Sequence, residues 1–368
     1  ELCASLCGAG ARVVVIDDGR SFEHSAKLQG GAFVEFTMSS GFCLNPFSMI
    51  DEELARQDED YLLDCMAMLK AIVNQMARHI DRLNDTERGL IDGAVNAVWE
   101  EKGRAGSIDD VIAALDATGN HQASDLGIAM RPFSSGGTYG RFFQGEVSFE
   151  LSAQLTVFEL SDLSSREELR SVVLTAIMFM SQQMMRKIDR SIPKALLLDE
   201  AWQMLRGGAM ADFIETYART CRKYGASLVT ATQSLNDYYK SAGSVAALEN
   251  SDWFVILQQK PETIADFKKH DRFEMDDYTD ALLRSLKING REYSDILIKG
   301  PETLAVGRLV LDPFSATVYS SSPAVYAAIE DLVAQGLSMD EAIERIAFPD
   351  NPEKWASHGD AELAQAAE

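Results

Sequence analysis

Apolar residues along this chain follow two alternating periods. Residues 12–18 read RVVVIDD, a β-branched run that closes in acid, which predicts a buried strand. Similar short runs recur at 32–37 (AFVEFT), 155–163 (LTVFELSDL), 195–198 (ALLL), 226–232 and 253–258. Helical spacing fills the gaps: a short segment to Leu28, a methionine-rich stretch at 165–189, and segments at about 209–224 and 235–239. Strands alternating with helices predict an α/β fold built on a mainly parallel sheet.

The texture changes between residues 51 and about 120. Long 3.6-residue periodicities dominate there, and they predict an all-helical insertion. Ser107 with Asp110 has the spacing of a capping box. Met66, Met68 and Met76 read as core filling between helices, not as ligands. SSGGTYG at 134–140 is glycine-rich, but no Gly-Lys-Ser/Thr follows, so it predicts a hairpin or linker. Further helices are expected at 261–269 and 276–286. Strands at 293–298 and 303–311 form an antiparallel hairpin turning at Gly300-Pro301. A C-terminal tail carries helices at 323–335 and after Ser338, which makes a capping box with Glu341; the last dozen residues read as frayed. The expected domains are therefore 1–50 and 136–322 for the α/β core, 51–135 for the insertion and 323–368 for the helical tail.

Candidate chemistry concentrates at KALLLDEAWQ, residues 194–203, where an apolar strand ends in Asp199 and Glu200. This is the Walker B arrangement of nucleotide-hydrolysing motors: one acid holds Mg²⁺ through water and the next activates the attacking water. Two acids after a strand can equally cap the following helix. Strand 227–232 runs into TATQS, which places Gln233 at the same C-terminal sheet edge as Asp199 and Glu200. There the glutamine either senses a γ-phosphate or bonds neighbouring backbone. Arg219, Arg222 and Lys223 end the preceding helix. Cations at a helix C-terminus are favourable without function, but in an oligomer an arginine here can reach the neighbour's phosphate. Asp17-Asp18 sits at another strand tip, as rim or turn. Arg308, within an apolar strand, needs a partner or an exposed face.

Composition sets limits. The 34 basic and 57 acidic residues give a net charge of −23 and a pI near 4.6, which argues against nucleic-acid binding and against attraction to anionic lipid. Five cysteines without a CxxC pair, and five scattered histidines, give no zinc signature and fit reduced, cytosolic thiols. No apolar run reaches membrane-spanning length. The chain opens in ELCASLCGAG, which looks like the last turns of a helix and suggests a fragment. No GxxxxGK[ST] phosphate loop occurs in the 368 residues.

Taken together, RVVVIDDGRSFEHSAKLQGGAFVEF, CLNPF, LLLDEAW, ARTCRKYGA, TATQS, EYSDILIKG and GRLVLDPFS resemble, in family order, the type IV secretion and conjugation ATPases of the TraC type. The resemblance implies a RecA-like P-loop NTPase core and a hexamer, cytoplasmic and peripheral at the inner membrane, contacting secretion-channel subunits. It implies Mg-ATP hydrolysis that energises pilus assembly and substrate transfer. By position it makes Asp199 and Glu200 the Walker B pair and Gln233 the sensor. Arg222 becomes the trans arginine with Arg219 as understudy, and Arg308 a late-strand nucleotide contact. The family's phosphate loop precedes the segment ELCASLCGAG, so the expectation for this chain alone is weak ATP binding and negligible hydrolysis. Two other readings stand beside it: a DNA-translocating coupling protein of the same superfamily, and a non-catalytic scaffold.

Overall fold

The computed structural model describes residues 1–349 except 79–82, 149–150, 201–213, 215, 219, 271–272, 274 and 291. The chain divides into two compact units. One holds residues 9–19 and 34–250; the other holds residues 1–8, 20–33 and those from 251 on.

A five-stranded sheet organises the larger unit, in the order β2-β3-β1-β4-β5. Its strands are β1 (Arg12–Asp17), β2 (Ala32–Glu35), β3 (Leu155–Glu159), β4 (Lys194–Leu198) and β5 (Ala226–Thr230). β1 pairs in parallel with β3 and β4, and β4 pairs in parallel with β5. β3 and β4 are buried at every residue, as expected of strands covered on both faces. The long helix Glu167–Lys187 is buried without interruption from Val172 to Met185. A helix buried over so many consecutive residues belongs inside a domain, and this one packs against the insertion helix Glu59–Ala77.

The insertion is helical, as its periodicity predicts. Helices Glu52–Gln57, Glu59–Ala77, Asp85–Lys102, Ile108–Ala117 and His121–Met130 begin at Asp51, Asp58, Asn84, Ser107 and Asn120, each accepting backbone N–H bonds as an N-cap. Each such cap stabilises its helix by about 1 kcal/mol. The Ser107–Asp110 capping box forms, and Met66, Met68 and Met76 are buried in the core. The glycine-rich loop is no hairpin; it links two 3₁₀ turns, Arg131–Phe133 and Gly140–Phe142, in a tight fold of the backbone. A Cβ on Gly137 would lie 2.2 Å from the Arg131 carbonyl oxygen, and one on Gly140 2.0 Å from that of Ser134. The glycines serve this close backbone approach.

The smaller unit holds an antiparallel sheet of β6 (Phe254–Ile256), β7 (Ile288–Asn289), β8 (Tyr293–Gly300) and β9 (Thr303–Leu309). The expected hairpin forms, with Gly300 opposite Thr303. The run at 253–258, however, does not extend the parallel sheet: β6 is three residues long and lies antiparallel to β8. Val255 is 61% exposed, so this strand is not the doubly covered kind that its apolar run suggested. C-terminal helices Pro313–Val318, Pro323–Ala334 and Met339–Ala347 close over Val318, Ile329, Ala342 and Ile343, with the Ser338–Glu341 box in place. Helix Glu23–Leu28 joins this unit: the Tyr326 hydroxyl donates to Glu23 at 2.8 Å, and its ring stacks on His24. The last dozen residues, Arg219, Trp202, Gln203 and the first part of the helix expected at 209–224 lie outside the described residues.

The segment expected as a helix at 235–239 is a 3₁₀ turn. Ser234 caps it, and Asp237 answers as the other half of a capping box. Asp237 also accepts from the Thr232 hydroxyl at 2.6 Å. These bonds tie the backbone on both sides of Gln233 to one carboxylate.

Candidate active site

Parallel strands deliver their C-terminal ends to one sheet edge, where functional groups collect. Here that edge is acidic. Asp17 lies in register with Glu159, Ile16 with Leu198, and Leu198 with Thr230. Backbone bonds continue the pairing past the strands: the Asp199 N–H donates to the Ile16 carbonyl and the Ala231 N–H to that of Leu198, both at 2.9 Å. Asp17, Asp18, Glu159, Asp199 and Glu200 thus share the rim with the polar run from Thr230 to Ser234.

The geometry ties Glu200 to Gln233. The Gln233 side-chain amide donates to Oε1 of Glu200 at 2.6 Å, across the ends of adjacent strands. Glu200 has φ +50°, a left-handed conformation for a residue with a Cβ. Such a backbone costs on the order of 1–3 kcal/mol and collects at functional sites.

Asp199 is half-buried. Burial pushes its carboxyl above the usual carboxylate range, and the charges of Glu200, Asp18 and Glu159 push the same way against the backbone N–H of Glu200. Glu159 is buried, and its carboxylate accepts the N–H of Ser161 at 2.8 Å and of Gly19 at 3.2 Å. Asp18 pairs with Arg170 at 2.6 Å, both side chains being largely buried. Sequence reasoning passed over Glu159 because LTVFELSDL read as one continuous strand. The usable signal was an acid at the tip of an apolar run, the pattern already noted at VVVIDD and LLLDE. Nothing in the sequence linked Arg170 to Asp18.

The carboxylates suit a hard divalent cation. Among the described residues no cluster of three or more His, Cys, Asp or Glu is arranged to hold a metal alone. Mg²⁺ keeps several of its waters and takes one or two carboxylates along with substrate phosphates. An Asp199 carboxyl crowded by like charge is a donor that a cation would relieve.

Arg222 lies at the opposite edge of the sheet. It opens the 3₁₀ turn Arg222–Tyr224, just before β5 begins, and is exposed. The five residues of β4 separate the two edges by about 15 Å. Arg222 is therefore placed away from the carboxylates of its own sheet. Arg308 lies in the smaller unit, where its guanidinium pairs with Asp295 at 3.1 Å and covers the Tyr293 ring at 3.7 Å. Its partner requirement is met inside the hairpin.

Comparison with known proteins places this geometry. The model of the TraG P-loop domain matches residues 1–349. The chain belongs to the TraG P-loop domain family. Protein TraC of Escherichia coli (strain K12) is 25% identical over 377 residues, covering 97% of this chain and 41% of the TraC sequence. Conjugal transfer protein TrbE of Rhizobium radiobacter is 26% identical over 167 residues, covering 45% of this chain and 18% of TrbE. The chain thus spans well under half the length of these relatives. Among solved structures, VirB4 of Thermoanaerobacter pseudethanolicus superposes with a TM-score of 0.68 at 16% identity, over 85% of this chain and 86% of that one. The plasmid coupling protein TrwB, in complex with a non-hydrolysable ATP analogue, gives a TM-score of 0.56 at 11% identity, over 84% and 80%. These likenesses establish the P-loop NTPase fold of the TraG P-loop domain for this chain. The helix Glu167–Lys187 has the length to span a bilayer but not the apolarity, and no helix among the described residues has both.

Proposed function

We propose that this chain supplies the hydrolytic half of an ATPase motor of a type IV secretion or conjugation system, using Mg-ATP hydrolysis to energise pilus assembly and substrate transfer. The observation that carries this reading is the 2.6 Å bond from Gln233 to Glu200, with Glu200 held in a strained left-handed backbone. Asp199 would be the residue to hold Mg²⁺. When bound, the metal neutralises charge on the phosphate oxygens. Glu200 takes the proton of the attacking water, and Gln233 orients the Glu200 carboxylate and reports on the γ-phosphate. Arg222, on the far edge of the sheet, serves the site of the next subunit in a ring, with Arg219 as its alternate. The ring is a hexamer, peripheral at the cytoplasmic face of the inner membrane, where it meets channel subunits. Arg308 contributes indirectly, by fixing the hairpin through Asp295.

Cradling a γ-phosphate takes backbone amides and a lysine, which a phosphate loop provides. The 368 residues by themselves therefore bind ATP weakly and turn it over negligibly. The test uses the full-length protein carrying its phosphate loop. Glu200→Gln should retain ATP affinity while hydrolysis falls by about 10²–10⁴, the usual contribution of a general base. Turnover at the unsubstituted rate would remove Glu200 from this role.

A further inference from the structure

The turn that carries Arg222 is held by a set of cations whose arrangement neither the fold nor the acidic rim requires. Tyr224, in the same single turn, lies among three of them. The guanidinium carbons of Arg186 and Arg190 stand 5.2 Å and 5.5 Å from its ring centroid, and the Lys223 ammonium 5.7 Å. The Tyr224 carbonyl accepts from Nζ of Lys194 at 3.0 Å. Lys194 is buried, and burial pulls its pKa down; it gives another proton to the Asp189 carbonyl at 2.7 Å. Gly225 ends the turn at φ +65°, where a Cβ would come within 2.6 Å of the Arg190 carbonyl oxygen. The turn is fixed on its ring side, its carbonyl side and its exit.

Arg186 links this turn to the helical insertion. It sits in the last turn of helix Glu167–Lys187, forms an ion pair with Asp64 of helix Glu59–Ala77, and lies 6.0 Å from the Tyr61 ring. One helical step away, Gln183 accepts from the Tyr61 hydroxyl at 2.5 Å, and Lys187 pairs with Asp51 at 3.0 Å. Residues 183, 186 and 187 form one face under the i, i+3, i+4 rule, and all three engage the insertion. Arg186 alone of the three also touches Tyr224. A planar guanidinium can stack on an aromatic ring and hold a carboxylate at once; an ammonium cannot do both in the same way.

We propose that Arg186 is a positioning residue for the trans arginine: through Tyr224 it sets the turn that presents Arg222, and through Asp64 it ties that turn to the helical insertion. This rests on the trans role assigned to Arg222 above. Asp64 is 45% exposed, so breaking its pair leaves no stranded buried carboxylate, but Arg186 is itself only 13% exposed and its loss also removes packing on the Tyr61 and Tyr224 rings. The split between kcat and KM and the behaviour of mixed oligomers, not stability, separate positioning from packing.

The experiment compares Arg186→Gln, Arg186→Lys, Tyr224→Ala and Arg222→Ala in the full-length protein. Arg186→Gln and Tyr224→Ala should lower kcat by about 10- to 100-fold, the scale of a slightly misplaced group. KM for ATP should stay close to that of the unsubstituted protein, with the rates read at a temperature where each variant is folded, since Tyr224 packs against the core and Arg186 is largely buried. Arg186→Lys, which keeps the charge, should keep more of the rate than Arg186→Gln. Arg186→Gln should add no loss on an Arg222→Ala background. Mixed oligomers of Arg186→Gln with Glu200→Gln should recover rate, because a Glu200→Gln subunit still presents an ordered Arg222 to its neighbour's intact site. Unchanged kcat in Arg186→Gln, or recovery with Glu200→Gln for Arg222→Ala but not for Arg186→Gln, would overturn the positioning role while leaving Arg222 in place. Failure of Arg222→Ala itself to lose rate, or to be complemented, would remove the trans arginine and this proposal with it.

Discussion

The two edges of the parallel sheet are built on opposite principles. At the C-terminal edge, like charges crowd together: Asp199 stands within the influence of Glu200, Asp18 and Glu159, its carboxyl is held above the usual range, and Glu200 carries a strained backbone. At the N-terminal edge, cations dominate and their donors are matched. Arg12 donates to the Ser152 carbonyl at 2.7 Å, Lys194 to two carbonyls, and Arg186 pairs with Asp64. At the acidic edge Asp18 and Glu159 are partnered and the unfavourable burden falls on Asp199, whereas the cationic edge matches its donors. The contrast teaches where ligand chemistry belongs, since a crowded acidic rim awaits a cation whereas a satisfied cationic rim holds a side chain in place for use elsewhere.

Substitutions at the two edges should move stability in opposite directions. The largest effect is expected at the satisfied edge. Gly225→Ala puts a methyl at φ +65° against the Arg190 carbonyl, and should cost about 2–4 kcal/mol by chemical denaturation. Little or no loss would mean that the turn is not locked as described. At the crowded edge, Asp199→Asn should stabilise the fold by roughly 1 kcal/mol in the absence of Mg²⁺ and nucleotide, at the expense of activity. The sign follows from the raised carboxyl. A group whose folded pKa lies above its unfolded 3.8 favours folding below that value, and loses that contribution as pH rises through the folded pKa. The gain from Asn should accordingly be full at neutral pH and fade in acid. A loss of stability at neutral pH would contradict the account of burial and like charge acting on Asp199.

How much of this was legible in the chain depends on the range of the contacts involved. β1, β3 and β4 were readable because strands covered on both faces are largely apolar, and each run turns acidic at the same C-terminal edge, even where the acid, as at Asp17 and Glu159, is itself buried. The caps at Ser107 and Ser338 were readable because both partners lie within one helical turn. Asp199, Glu200 and Gln233 were visible as separate strand ends, but their hydrogen bond spans 33 residues of sequence and needs the register of β4 on β5. The Asp18–Arg170 and Asp64–Arg186 pairs are more distant still, and no local pattern encodes them. The segment at 253–258 misled because an apolar run does not reveal whether it is covered on one face or two. Val255 and Leu257 remain exposed in an antiparallel edge, where sequence alone suggested a buried parallel strand.

In the proposed motor the acidic edge of one subunit works with the arginine edge of another. Mixed oligomers of full-length Glu200→Gln and Arg222→Ala test it most directly. Each variant alone should hydrolyse ATP slowly. When the two are mixed and allowed to exchange subunits, those sites that pair an intact Glu200 with an intact Arg222 from the neighbour should raise the rate above the sum of the separate proteins. A mixed rate equal to that sum would contradict the claim and place both groups in service of the same subunit's site.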